Sequence, residues 1–152
     1  MALKEVFIKK VRPEAKLPTW AYEAAAGADV YACLDTDSIT IPPHMTVSIP
    51  LGICSEFEPE YAALLYARGG TAMKKGVAPA NKVGVVDADY RGEWQFPAHN
   101  HSNVPVVIEN GERIGQVIFH RVQHPFFVEL DEGQELSSTQ RGEGRYNSSG
   151  TK

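Results

Sequence analysis

Ser38-Ile39-Thr40-Ile41-Pro42-Pro43-His44-Met45-Thr46-Val47-Ser48-Ile49 sets two short runs of alternating hydroxyl and β-branched apolar side chains on either side of a proline pair. Alternation with period two turns one face of a strand to a core and the other to water, and neither proline can continue a ladder, so the stretch reads as two strands and a turn. The same rhythm extends outward in both directions. Val6-Phe7-Ile8, Asp29-Val30-Tyr31-Ala32, Tyr61-Ala62-Ala63-Leu64-Leu65-Tyr66, Val83-Gly84-Val85-Val86, Val104-Pro105-Val106-Val107-Ile108 and Gln116-Val117-Ile118-Phe119 all have strand length and composition. Thirteen glycines and ten prolines fall between such runs as punctuation. No segment keeps a 3.6-residue period for three turns, and the one helix expected is a turn or two from Gly70 to Lys75. The pattern predicts an all-β fold, a sandwich or barrel.

With 152 residues, 43% of them hydrophobic, the chain has material for one ordinary core, so one domain is expected over residues 1–136. Ser137 to Lys152 is rich in Ser, Thr and Gly and holds only Tyr146 as an apolar ring; it is expected to be a mobile tail unless a ligand orders it. A net charge of -4 argues against a broad basic surface for nucleic acid or lipid headgroups, so an anionic ligand needs local basic residues. No apolar run approaches the ~20 residues of a membrane span, and MALKEVFIKKV alternates where a signal peptide is unbroken, which predicts a soluble, cytoplasmic protein. Cys33 and Cys54 stand alone and suggest neither a disulfide framework nor a zinc site.

Three segments could carry chemistry. In Asn81-Lys82-Val83-Gly84-Val85-Val86-Asp87-Ala88-Asp89-Tyr90-Arg91-Gly92-Glu93 an apolar strand runs into residues suited to a tight hairpin turn. The plain reading is a β-hairpin with a solvated acidic tip; the sharper one makes Asp87 a carboxylate placed to take a proton from water. In Ala67-Arg68-Gly69-Gly70-Thr71-Ala72 a strand end, a guanidinium and two glycines ahead of a helical turn suit an anion, against the plainer strand-to-helix turn. The tail segment Arg141-Gly142-Glu143-Gly144-Arg145-Tyr146-Asn147-Ser148-Ser149-Gly150 could wrap a phosphate chain while laying a ring on a base, or simply be disordered. His99 and His101, two apart on one strand face, lack an apparent third metal ligand and read as polar strand residues.

Taken in order, these segments resemble the five motifs of the trimeric dUTPases. They run from Ala25-Ala26-Gly27-Ala28-Asp29-Val30-Tyr31-Ala32 through the Arg68 and Asp87 segments to Gly111-Glu112-Arg113-Ile114-Gly115-Gln116 and the Arg141 to Gly150 tail. The resemblance spans nearly the whole chain. It implies a homotrimer of jelly-roll-like, β-clip subunits that splits dUTP into dUMP and pyrophosphate with Mg²⁺. That activity limits uracil incorporation into DNA and supplies dUMP for thymidylate synthesis. By the resemblance Asp87 is the general base that activates water against the α-phosphate, and Tyr90 packs on the deoxyribose. Asn81, Val85 and Val86 read the uracil edge, largely through main chain. Arg68, Gly69, Gly70 and Gln116 contact phosphate from a neighbouring chain, and Asp29 supports the metal-bound water. Arg141, Ser148 and Ser149 of a third chain bind phosphate, with Tyr146 stacked on uracil. The ion is held by the triphosphate, with no direct protein ligand.

The chain departs from the family pattern in places. Gly69 stands where a serine is usual, which predicts weaker activity or a compensating donor such as Thr71. Gly115 stands in place of the usual alanine, a change expected to be small. Arg145 and Asn147 replace glycines, and Tyr146 replaces Phe. A dCTP deaminase carries a catalytic Glu at the position that here is Pro97, which argues against deamination. A non-catalytic trimeric module for binding or regulation is the alternative from another class.

Overall fold

The computed structural model describes residues 3–145. Eleven strands are distributed over four antiparallel sheets. They are β1 (Phe7–Lys10), β2 (Ala28–Tyr31), β3 (Ser38–Ile41), β4 (Thr46–Pro50), β5 (Ile53–Glu56), β6 (Tyr61–Ala67), β7 (Val77–Pro79), β8 (Gly84–Val86), β9 (Gln95–Asn100), β10 (Val106–Glu109) and β11 (Arg113–Arg121). A four-stranded sheet in the order β2-β11-β6-β8 and a three-stranded sheet in the order β4-β9-β7 form the body of a sandwich, flanked by the pairs β1-β5 and β3-β10. Among the described residues the single helical element is the turn Thr71–Lys75, where the sequence places it. No helix there is long and apolar enough to cross a membrane.

Alternation does what the sequence requires of it. In β9 the pattern puts Phe96, Ala98 and Asn100 inside, and in β10 it buries Val106 and Ile108. Both sheets and both flanking pairs contribute to one core that includes Val30, Ile41, Ile49, Ile53, Leu65, Val77, Trp94, Phe96, Ile108, Ile114 and Val117. Two polar groups inside it are satisfied. Asn100 donates to the carbonyls of Ile41 and Val104, and Trp94 Nε1 donates to Ser55 Oγ. An unpaired amide in that position would cost about 1–3 kcal/mol.

Three strands lie outside the runs singled out by composition: β5, β7 and β9. Each hides its signal, β7 and β9 by carrying Pro79 and Pro97, and β5 by reading Ile-Cys-Ser-Glu. The plain hairpin reading of Asp87 to Gly92 is corrected. The turn exists, closed by Tyr90 N–H donating to the Asp87 carbonyl, but β8 pairs with β6 and β9 pairs with β4 and β7. The segment is a corner that carries the chain from one sheet to the other.

Gly115 is also more constrained than its small size suggests. It faces Ala67 of β6 on one side and Val30 of β2 on the other, and a Cβ here would lie 2.4 Å from the Phe96 ring and 2.9 Å from the Tyr66 carbonyl. The expectation that alanine and glycine are nearly equivalent at this position therefore fails, because Phe96 fills the space that a methyl would need. After Arg121 the described chain contains no strand or helix, and Phe126, Phe127 and Val128 are almost fully exposed.

Candidate functional site

Two separate cavities, with no lining residue in common, gather part of the set that the sequence singles out; Asn81, Val86 and Tyr90 line neither. The first, about 290 Å³, is lined by Asp29, Arg68, Gly69, Gly70 and Gln116 together with Tyr22 and the Ala25–Gly27 stretch. Strand order explains the gathering. β11 lies between β2 and β6, and Gln116 sits opposite Asp29 on one side and Tyr66 on the other. Arg68 follows the last residue of β6, which brings its side chain back across Gln116 to the carboxylate.

Asp29 is 6% exposed and has a cation at each oxygen: Oδ1 accepts from Arg68 Nε at 2.6 Å, and Oδ2 is ion-paired with Arg113 Nη1 at 3.3 Å. A buried carboxylate needs such partners, since an isolated charge taken out of water would cost several kcal/mol. Because Asp29 takes the Nε of Arg68, the two terminal nitrogens of that guanidinium remain for a ligand in the cavity. Gln116 is fixed by donating to the Ala67 carbonyl at 2.9 Å. Gly69 and Gly70 leave open space where a side chain would stand, so their backbone is bare to an approaching anion. Thr71 does not replace the absent serine. Its hydroxyl is buried and donates to the Arg113 carbonyl at 3.4 Å.

The second cavity, about 640 Å³, is lined by Val85, Asp87, Ala88, Asp89 and Arg91 together with Glu56, Tyr61 and His124 among others. Asp87 is exposed, and among the described residues its carboxylate has no hydrogen bond or ion pair. The turn that presents it is nonetheless held firmly. Arg91 Nη1 donates to the Ala88 carbonyl at 2.7 Å and to the Ser55 carbonyl at 3.3 Å, propping the corner against β5. Tyr90 is half exposed, with its hydroxyl donating to the Glu93 carbonyl and the hydroxyl end of its ring against Gly92, where a Cβ would collide with it. Glu93 in turn is gripped by Arg12, at 2.5 Å from Nε and 3.2 Å from Nη2. Hydrogen bonds to Glu93, and next to Asp35, raise the Arg12 pKa above its ordinary value. Val85 is exposed between buried Gly84 and Val86. β8 is the last strand of its sheet, so its outer N–H and C=O groups are open to a planar polar ligand. Asn81 is exposed just before it, its carbonyl accepting from Val83 N–H.

The two cavities stand apart in one chain. Val86 pairs with Ala63, while Arg68 lies five residues further along the chain, just past the end of β6. At ~3.3 Å per residue that is about 16 Å, and Asp87 continues the other way. Arg141 is described, exposed and folded on itself, its Nε donating to the Gly144 carbonyl, and it lines neither cavity. Tyr146, Ser148 and Ser149 lie outside the described residues. Of the histidine pair, His99 lies in β9 as expected, but His101 falls just past its end; their rings lie 4.4 Å apart, and burial followed by its neighbour's charge lowers the His101 pKa. Among the described residues no group of three His, Cys, Asp or Glu could hold a metal ion. Arg113, Arg91 and Gly115 are structural partners of the site that composition alone did not single out.

Known proteins resemble this chain in sequence and in fold. The family model of dUTPase matches residues 13–150. Deoxyuridine 5'-triphosphate nucleotidohydrolase from Hydrogenobaculum sp. is 40% identical over 148 residues, 97% of this chain and 99% of that one. Its counterpart from Desulfitobacterium hafniense is 39% identical over 149 residues, 97% of this chain and 95% of that one. In fold the chain is similar to the Staphylococcus bacteriophage 80alpha dUTPase solved with dUPNHPP, with a TM-score of 0.84 at 20% identity over 96% of this chain and 98% of that one. It is also similar to a variant dUTPase from phage phi11 of S. aureus whose structure details coordination of a structural Mg(II) ion. There the TM-score is 0.76 at 15% identity, over 87% of this chain and all of that one.

Proposed function

The chain belongs to the dUTPase family, and we propose that its two cavities are the halves of one dUTP-hydrolysing site. The protein is a dUTP diphosphatase, splitting dUTP into dUMP and pyrophosphate. One contrast carries the assignment of roles: Asp87 is a carboxylate without a partner, set on a rigid corner, whereas Asp29 is wholly engaged by arginines. An unpartnered, solvated carboxylate can accept a proton from water, and Asp87 is the general base for attack on the α-phosphate. Beside it Tyr90 offers a ring to the deoxyribose, and Asn81, Val85 and Val86 offer the open edge of β8 to the uracil. A methyl or an amino group on the base would meet main-chain donors and acceptors fixed for uracil.

Arg68, Gly69, Gly70 and Gln116 serve the phosphates. Fixed donors aimed at developing charge account for much of the acceleration in such reactions, beyond the ~10²–10⁴ of a general base. Mg²⁺ fits here as an ion carried on the triphosphate oxygens, where it neutralises charge. Both Asp29 oxygens face arginines, and such ions commonly take few protein ligands when phosphate is present. The separation of Arg68 from Asp87 supports a homotrimer in which each site joins the Asp87 corner of one chain to the Arg68 cavity of another. The tail from Ser137, with Arg141, Tyr146, Ser148 and Ser149, closes over the nucleotide from a third chain. A soluble nucleotide substrate supports a cytoplasmic location. The non-catalytic alternative is not favoured beside relatives named as nucleotidohydrolases at 39–40% identity. Pro97 supplies no acid for deamination.

Pyrophosphate release from dUTP, dCTP, dTTP and UTP is the test. Rapid release from dUTP alone is expected; comparable release from UTP or dTTP would remove Tyr90 and the β8 edge from their roles.

A further inference from the structure

Asp29 is ion-paired with two guanidinium groups, and the phosphate half described above uses only one of them. The second, Arg113, reaches the carboxylate through an irregularity in β11. Arg113 pairs with Tyr31 and Gly115 with Val30, so Ile114 is an extra residue between them. In a regular strand residues three apart face opposite sides, yet Ile114 and Val117 are both fully buried in the core. The bulge therefore turns Arg113 and Gln116 to the same outer side, one on either flank of Asp29.

Charge gives this arrangement a purpose. Asp29 with Arg68 alone is a neutral pair, and its free Oδ2 would face an incoming polyphosphate as a like charge. With Arg113 on Oδ2 the group carries a net +1, the second oxygen is covered, and the terminal nitrogens of Arg68 stay available. We infer that Arg113 is a positioning residue of the phosphate half-site, acting through the Asp29 carboxylate, which it masks from the substrate polyphosphate. This rests on the dUTP reading above for its substrate and on the ion-pair geometry for its logic.

The experiment is a cycle of Arg113→Gln, Asp29→Asn and the double variant. It measures dUTP turnover at two salt concentrations and binding of inorganic pyrophosphate by calorimetry. Arg113→Gln is expected to raise KM for dUTP about tenfold, with kcat lowered far less, and to weaken pyrophosphate binding by a similar factor, more at low salt than at high. Arg113→Lys should recover part of both losses. In the Asp29→Asn background, where no charge needs covering, the same Arg113→Gln change should cost under about threefold. Equal cost in both backgrounds, or loss of kcat at unchanged KM and unchanged pyrophosphate affinity, would overturn the inference. If Arg113→Gln lowers the melting temperature too far to assay, Arg113→Lys carries the cycle. Failure of the wild-type protein to hydrolyse dUTP would instead count against the substrate, and the pyrophosphate arm would still judge Arg113.

Discussion

Asp29 and Asp87 are the same side chain in opposite circumstances. The first lies within the sheet, between β11 and the start of the molecule, with both oxygens facing arginines; the second stands at a corner between sheets, its carboxylate without a hydrogen bond or ion pair among the described residues. A carboxylate with two cationic partners is part of the architecture, and its removal disturbs the fold together with the site. One without partners contributes nothing to folding and keeps its lone pairs for chemistry. The contrast separates scaffold from reagent among residues that look alike in the sequence.

The sharpest way to break the contrast is Asp87→Asn. Turnover should fall by ~10²–10⁴, while the melting temperature moves little because the side chain holds no contact. A stopped pyrophosphate-release assay beside a melting curve decides it, and near-normal turnover would end the assignment. Asp29→Ala should do the reverse in kind. It leaves Arg68 and Arg113 close together without their counter-charge, a loss of about 2–4 kcal/mol and so roughly 5–15 °C for a chain of this length, with weaker dUTP binding as well. Next in size is Gly115→Ala, which presses a methyl into the Phe96 ring beneath the Asp29 side of the sheet. About 1–3 kcal/mol should be lost, and Phe96→Leu in the same chain should return part of it; calorimetric unfolding of the single and double variants measures the coupling.

The smallest effect is expected at Gly69. Its backbone needs no conformation reserved for glycine, and a side chain there meets open space. Gly69→Ser should therefore leave kcat/KM unchanged or raise it, at most by the ~1.5–3 kcal/mol of a hydrogen bond to a charged group. A sharp fall would show that the bare backbone itself binds the phosphate.

What the sequence disclosed follows from how local each signal is. Alternation and proline placement are local, so β3, β4, β6 and the turn at Thr71 could be read directly from composition. Strand β9 could be read only at its end, where His99 looks like a polar strand residue; Pro97 hides the rest until β4 and β7 flank it. The gathering of Arg68, Gln116 and Asp29 needs strand order, which no window of residues carries. The bulge at Ile114 is more remote still. Only the common burial of Ile114 and Val117 shows that the period is broken, so Arg113 gave no sign of its place beside Asp29. In the same way Gly115 read as a trivial change until Phe96 was found against it.

The open edge of β8 has a consequence for the protein as a colloid. Reading a base through the main chain calls for a strand whose outer amides and carbonyls are bare, and a bare edge is also a template on which a stray strand from another molecule can add. Here the edge is three residues long, preceded by Lys82 in the left-handed backbone region and followed by Asp87 and Asp89. Three residues form too few ladder bonds to hold a foreign strand, and fixed charges at both ends deter its extension. The length that suits one nucleobase is thus also short enough to keep the chains from assembling into fibres.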